Sequence, residues 1–261
     1  MDHLGQFKKE VSSRIGALGA DVELKKLSVE WARHSGLHKW SYNFFWMGRP
    51  AIQFPNDAWA MQELIWYIKP DLIIEAGIAH GGSLVFYASM LALLDISEAV
   101  QAGHVLSTGE TKRKVLGIDI EIRQHNREAI EQHPMSPWIE MIEGSSISTE
   151  VVSQVREIAK GFTRILVSLD SNHTHEHVLA ELNAYAPLVT VGSYCVVFDT
   201  IIEETASEMD AGRPWGPGNN PKTAVVEYLK HHPEFEVDTN IHHKLLITVA
   251  PGGWLFRKSE S

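Results

Sequence analysis

Five acidic residues stand where short apolar runs give way to small or polar ones: Glu75, Asp119, Glu143, Asp170 and Asp199. In an open α/β sheet, ligands sit beyond the carboxyl ends of the strands, so acids there face whatever the sheet binds. The densest group is Ser168-Leu169-Asp170-Ser171-Asn172-His173-Thr174-His175-Glu176-His177, with Asp199 ending the next apolar run. Adjacent strand ends bring Asp170 and Asp199 together, and two carboxylates at close range need a cation or a shared proton. A hard divalent ion is the economical answer. His173 lies just beyond Asp170, where an imidazole can take a proton from a substrate hydroxyl held by the same metal. The competing reading is a surface or helix-capping histidine. A zinc site is not expected from His173, His175 and His177, because residues at i, i+2 and i+4 of a helix do not converge and His-Glu-x-x-His is absent. Thr174 is placed to cap the helix that starts there, turning Val178, Leu182 and Tyr185 toward the sheet and leaving His175 and His177 mostly solvated.

Glu75-Ala76-Gly77-Ile78-Ala79-His80-Gly81-Gly82-Ser83 reads as a strand-to-helix turn. Small residues at 77, 79, 81 and 82 let backbone approach a ligand, and the helix beginning after Gly82 offers free N–H groups. It is neither the G-x-G-x-x-G fingerprint nor a P-loop. Glu75, two residues before the first glycine, can hold a cationic amine or a hydroxyl of a bound ligand, with a plain tight turn as the rival reading. Asp119 ends the second strand, where a ribose diol would be gripped by two hydrogen bonds. The separation of Gly77 from Asp119 exceeds the usual step of about 20 residues, which puts an insertion near 95–112. Glu143-Gly144-Ser145-Ser146 is a small polar turn suited to an adenine edge, or simply a strand end.

The elements that must position these groups follow from periodicity. From residue 71 onward, runs rich in β-branched residues alternate with helix-like segments, the pattern of a mostly parallel sheet covered on both faces. Strands are expected at Leu72–Ala76, Val115–Ile120, Ile139–Glu143, Ile165–Asp170 and Tyr194–Asp199, with helices near 82–94, 125–133, 149–160 and 175–186 between them. A helix at 57–68 stops at Lys69-Pro70. Residues 203–221 form a polar, Gly/Pro-rich loop too broken for regular structure and of the kind that often serves as a lid. A helix at 222–231 and runs at Phe235–Ile241, Lys244–Val249 and Trp254–Arg257 close the chain as an antiparallel edge. Residues 1–40 suggest one or two helices outside the sheet, so an N-terminal helical and aromatic arm at 1–50 is expected to precede one domain at 51–261. The aromatic stretch Trp40 to Pro50 could line a pocket, form an oligomer contact or pack on the core.

The chain has 261 residues, 44% of them apolar, and a formal net charge of −10, as ordinary globular proteins do. An acidic chain without a basic run makes nucleic acid an unexpected partner. The single Cys195 excludes an intrachain disulfide and any multi-cysteine metal site. It reads as a buried small hydrophobe and fits a reducing cytoplasm. No secretory signal is expected at the start. The apolar run Leu84 to Leu94 is about half of the roughly 20 residues that cross a bilayer, so no membrane span is expected.

Taken together, the stretches at 71–83, Gly117-Ile118-Asp119-Ile120, Glu143-Gly144-Ser145-Ser146, 169–179 and Pro214-Trp215-Gly216-Pro217-Gly218-Asn219-Asn220-Pro221 resemble the cephalosporin hydroxylase/rhamnosyl O-methyltransferase family over roughly residues 43 to 257. The resemblance implies a Rossmann-like class I methyltransferase fold with a seven-stranded sheet, S-adenosylmethionine as cofactor and, as in several members, Mg²⁺. It implies a cofactor site at Glu75, Gly77, Ala79, His80, Gly81, Ser83, Asp119, Gly144, Ser145 and Asp170, a metal at Asp170 and Asp199, and His173 as base. Phe198 stands where some magnesium-binding relatives carry an acid, which implies an ion held by fewer protein ligands and more waters, or no ion. His80 stands where the family often has Arg. The expected reaction is methyl transfer to a hydroxyl of a sugar or glycosylated natural product, with Phe45, Trp46, Trp215 and Asn219 sequestering the acceptor, in a homo-oligomer. The rival classes are a non-catalytic partner subunit that keeps the cofactor fold, and an iron-dependent oxygenase, whose facial triad of two His and one carboxylate has no His-x-Asp signature here.

Overall fold

The computed structural model of the chain describes residues 2–107, 109, 111–205 and 212–260. Helices α1 (His3–Ala20) and α2 (Val22–Leu37) come first, as expected of the arm. Each is opened by an aspartate whose carboxylate accepts a first-turn N–H, Asp2 from Gly5 and Asp21 from Leu24, the favoured way to satisfy a helix start. Trp31 of α2 meets Trp40 and Phe54 edge to face, and Trp40 also meets Phe44 and Phe54, with ring centroids 4.8 to 6.1 Å apart. This aromatic stack fastens the arm beside the sheet. A short hairpin, β1 (Phe45–Trp46) with β2 (Arg49–Pro50), leads into α3 (Pro55–Ile68). Pro55 suits the first turn of α3, and Lys69 ends it in the left-handed region ahead of Pro70.

The main sheet is built from β3 (Leu72–Ala76), β4 (Lys114–Asp119), β5 (Ile139–Glu143), β6 (Ile165–Leu169), β7 (Tyr194–Val197), β8 (Phe235–Val237) and β9 (Trp254–Arg257). Their spatial order is β5-β4-β3-β6-β7-β9-β8. β5 through β7 are parallel, and β9 runs antiparallel to both β7 and β8. The seven strands and antiparallel edge match expectation. The chain steps outward from β3 to β5, then returns to lay β6 on the other side of β3, so a crevice opens beyond the carboxyl ends of these strands. Helices α4 (Gly82–Ala102), α5 (Gln124–Glu131), α6 (Thr149–Ala159), α7 (His175–Tyr185), α8 (Ile202–Thr205), α9 (Pro221–Leu229) and α10 (Thr239–Leu245) surround the sheet. Ile74 and Ala76 share one core with residues of α6, α7 and α9, while Ile73 shares the other with residues of α3 and α4. Because both faces are covered, β3 is buried at every residue and shows no alternation.

The structure corrects several expectations. The helix expected at 82–94 runs on to Ala102, so the insertion near 95–112 begins as its last turns, capped by Gly103 at φ +70°. Asp95 and Glu98 on those turns pair with Arg113 just before β4. The extended α4 is long and apolar enough to cross a membrane, yet 67% of its apolar window is buried in the fold, as in the core helix of a globular domain. Lys244–Val249 is not a strand, and Phe235–Ile241 is extended only to Val237. The Asp238 carboxylate accepts the Asn240 N–H and starts α10 there. The following stretch is then held by a side chain rather than a ladder: Asp57 accepts the Thr248 hydroxyl and, at 3.0 Å, the Val249 N–H. Thr174 makes no side-chain cap; the first N–H of α7 is received at 2.9 Å by Asn219 Oδ1. His175 and His177 are half-buried and hydrogen-bonded rather than solvated. In the 203–221 loop, α8 and a tight turn at Gly216–Asn219 are ordered structure. Residues 206–211, to which the lid reading extended, lie outside the described residues.

Asp57 is fully buried, and desolvation pushes its carboxyl up to about 7 despite the two donors. A carboxyl whose pKa rises on folding binds more protons in the native state, so its contribution is complete below about 4 and is lost as pH rises through about 7. Asp57→Ala leaves the Thr248 and Val249 donors buried without an acceptor and should cost about 2–4 kcal/mol. Denaturant titrations should show a larger loss at pH 5 than at pH 8.

Candidate functional site

Register alone brings the acidic strand ends to one edge. Ala76 pairs with Ile118 on one side and Leu169 on the other, Asp119 pairs with Glu143, and Leu169 pairs with Val197. Gly77 begins the turn after β3 at φ +91°, and a Cβ there would lie 2.1 Å from the Asp170 carbonyl oxygen. Only glycine allows the turn and the loop after β6 to touch. Asp119 Oδ2 accepts the Ile78 and Ala79 N–H groups at 3.0 and 3.1 Å, so the turn folds over this carboxylate. Arg49 donates to the His80 carbonyl and, at 2.8 Å, to Asn126 Oδ1, while Asn126 Nδ2 reaches the Ala79 carbonyl at 3.2 Å.

Glu75 points into the protein beneath this turn. Burial pushes its carboxyl up to about 8, with Asp119 adding and a hydrogen bond from Ser83 opposing. Its Oε2 has no partner among the described residues. Asp170 is held well above the usual carboxylate range, first by desolvation and then by Asp199, Glu75, Glu181 and Asp57. Carboxylates that raise one another in this way create an appetite for positive charge. Asp170, His173 and Asp199 each offer a ligand atom, all within 4.8 Å of one another, and His173 Nε2 is 3.2 Å from Asp199 Oδ2. Asp199 holds φ +56°, an uncommon conformation for a non-glycine residue. The two carboxylates fit a hard divalent cation by their donor chemistry, with the imidazole beside them. Phe198, by contrast, is buried against Trp254 and offers nothing to a cation. One imidazole with two carboxylates is also the wrong donor count for a two-histidine facial triad.

A cleft of about 590 Å³ opens over this edge. Gly77, Ala79, His80, Ser83, Asp170, His173, Asp199 and Trp215 border it. Trp215 lies edge-on to His173 at 4.7 Å and under the Arg213 guanidinium. Other expected residues fall elsewhere. Phe45 is 66% exposed, and Trp46 packs on Phe86 and donates to Ser89. Asn219 braces the start of α7 and the Pro214 carbonyl. Gly144 and Ser145 lie at the neighbouring strand end, where Gly144 N–H bonds the Asp119 carbonyl. The outer wall comes instead from Gly36, Lys39, Ser41 and Tyr42 of the arm, which the aromatic density of 40–50 signalled without naming the rings. Glu181 was also missed: fully buried, it receives the hydroxyls of Ser146 and Ser171, each at 2.5 Å, and ties together the loops after β5 and β6.

Comparison with known proteins places the chain in a family. Residues 38–258 match the family model described as rhamnosyl O-methyltransferase/CmcI. A rhamnosyl O-methyltransferase of Mycobacterium leprae (strain TN) is 30% identical over 231 residues, covering 85% of this chain and 89% of that protein. That of Mycobacterium tuberculosis (strain ATCC 25618 / H37Rv) is 30% identical over 233 residues, covering 84% and 83%. Among solved structures, CmcI with Mg and SAM aligns with a TM-score of 0.55 at 17% identity, covering 84% of this chain and 78% of that one. CmcI without ligand gives 0.54 at 16%. These two likenesses show the fold.

Since burial first, and neighbouring acids after it, hold Asp170 above the usual carboxylate range, its neutral isostere removes the cost of ionising a group there. Asp170→Asn should leave the melting temperature unchanged or higher while calorimetric binding of a divalent cation is lost. A variant that binds the cation with unchanged affinity contradicts the donor assignment.

Proposed function

The chain belongs to the rhamnosyl O-methyltransferase/CmcI family and is an S-adenosylmethionine-dependent O-methyltransferase, and from that premise we propose that its acceptor is a hydroxyl on a sugar of a glycosylated natural product. The observation that carries this reading is the Asp170–His173–Asp199 cluster facing the same cleft as the glycine turn. S-adenosylmethionine supplies an already activated methyl carbon, so the protein has to align an oxygen with it and remove a proton. In the proposed arrangement the 77–83 turn holds the amino-acid end of the cofactor, Asp119 the ribose, and the Ser145 region the adenine.

His173 Nε2 accepts the proton of the acceptor hydroxyl. The lone pair freed on that oxygen would take the methyl carbon, the electron pair of the S–C bond staying on sulfur. Asp199 Oδ2, 3.2 Å from the same nitrogen, stabilises the imidazolium that results. Asp170 and Asp199 would hold a divalent cation such as Mg²⁺, which lowers the pKa of a hydroxyl bound to it. With Phe198 turned into the core, a cation there would be held by fewer protein groups. Trp215 and the arm residues Gly36 and Tyr42 wall the acceptor side and keep bulk water from the reacting oxygen.

The test is transfer of label from methyl-labelled cofactor to a panel of rhamnosides and other glycosides. His173→Ala should lower kcat about 10²- to 10⁴-fold with cofactor affinity within about three-fold of wild type. Cofactor binding without labelling of any glycoside would overturn the acceptor assignment in favour of a partner subunit.

A further inference from the structure

The segment after β2 is pressed onto the first turn of α4. A Cβ on Gly82 would meet the Pro50 carbonyl oxygen at 2.2 Å and Ala51 Cα at 2.5 Å, so glycine is required where the two backbones touch. The helix start itself is uncapped: Gly81 precedes it at φ +79° and contributes no side-chain acceptor to the first N–H groups. Gln53 follows in the same segment and borders the cleft together with Gly77, Gly82 and Ser83. Its side chain lies near the Tyr87 hydroxyl, which is 3.2 Å from Ser168 Oγ. Yet Gln53 is only 8% exposed, and its Nε2 has no partner among the described residues.

A buried amide nitrogen without an acceptor is costly, about 1–3 kcal/mol, and a group left in that state asks for an explanation such as a ligand. The surroundings say which kind. Exposed N–H groups at a helix N-terminus attract anions, and an unpaired amide donor beside them asks for the same thing. Beneath the same turn, Glu75 Oε2 also has no partner among the described residues. An unpaired donor and an unpaired acceptor flanking one glycine turn complement the zwitterion of an amino acid.

We propose that Gln53 is a cofactor-binding residue whose Nε2 donates to the α-carboxylate of the methionine portion of S-adenosylmethionine, seated against the first turn of α4. This rests on the cofactor reading given above and adds a residue outside the motifs that point to it. The terminal torsion of a glutamine is broad, so presenting the nitrogen to the cleft needs little rearrangement. Specificity follows: the site selects nucleosides that carry an intact amino acid.

Calorimetric titration with two ligands tests it. S-adenosylhomocysteine carries the carboxylate, whereas 5′-methylthioadenosine keeps the nucleoside and lacks the amino-acid end. Gln53→Leu should weaken S-adenosylhomocysteine about ten-fold and leave methylthioadenosine within about two-fold. Gln53→Glu should weaken S-adenosylhomocysteine further by placing like charges together. Gln53→Asn, which keeps the amide on a shorter stem, serves if the leucine variant does not fold, and should show the same selective loss. Equal losses for both ligands, or unchanged binding of S-adenosylhomocysteine by a folded variant, would overturn the proposal. A wild-type protein that binds neither ligand would instead overturn the cofactor assignment on which the proposal stands.

Discussion

Like charges forced together at one edge of a low-dielectric sheet are the constraint on which the molecule turns. Glu75, Asp170 and Asp57 all have carboxyls held above their ordinary range, with burial as the first cause in each and neighbouring acids adding to it. A fold that only needed stability would place apolar groups there. Instead the free energy of apolar burial on both faces of β3 sustains an edge whose carboxyls are costly to ionise. Stored repulsion of this kind is a common signature of functional sites.

That edge is held in place by contacts too close for ordinary side chains. Gly77 lets the first turn lie on the Asp170 carbonyl, and Gly82 lets the β2–α3 segment lie on the start of α4. Behind the edge, Asp57 grips the Thr248–Val249 stretch, and the Val249 carbonyl in turn receives the Ile201 N–H two residues beyond Asp199. A carboxylate on α3 therefore supports the backbone that carries Asp199. Glu181 plays a comparable part on the opposite face, drawing the loops after β5 and β6 toward one oxygen.

Much of this was legible because strand ends announce themselves. A β-branched run that stops at or beside an acid marks the end of the ladder, and the gathering of Glu75, Asp119, Asp170 and Asp199 at one edge was readable in that way. Lys244–Val249 misled because Leu245, Leu246, Ile247 and Val249 look like a strand, whereas α10 takes Leu245 and the end of the stretch is held by Asp57, 191 residues from Thr248. Thr174 looked like a cap, but Asn219 reached the helix first from another loop. Phe45 and Trp46 showed that aromatic density reveals that rings gather and is silent about which ring faces the ligand. Gln53 carried no local signal, since its meaning comes from an unpaired nitrogen visible only in three dimensions.

The arm residues at the rim of the cleft take no part in the main sheet. Gly36, Lys39 and Tyr42 border the cleft from outside, while the ladder beneath depends on none of them. Substitutions at this rim can therefore reshape the mouth of the cleft without disturbing the register that gathers the acidic edge. Diversity of taste in such enzymes should accumulate first in the periphery that looks least like machinery.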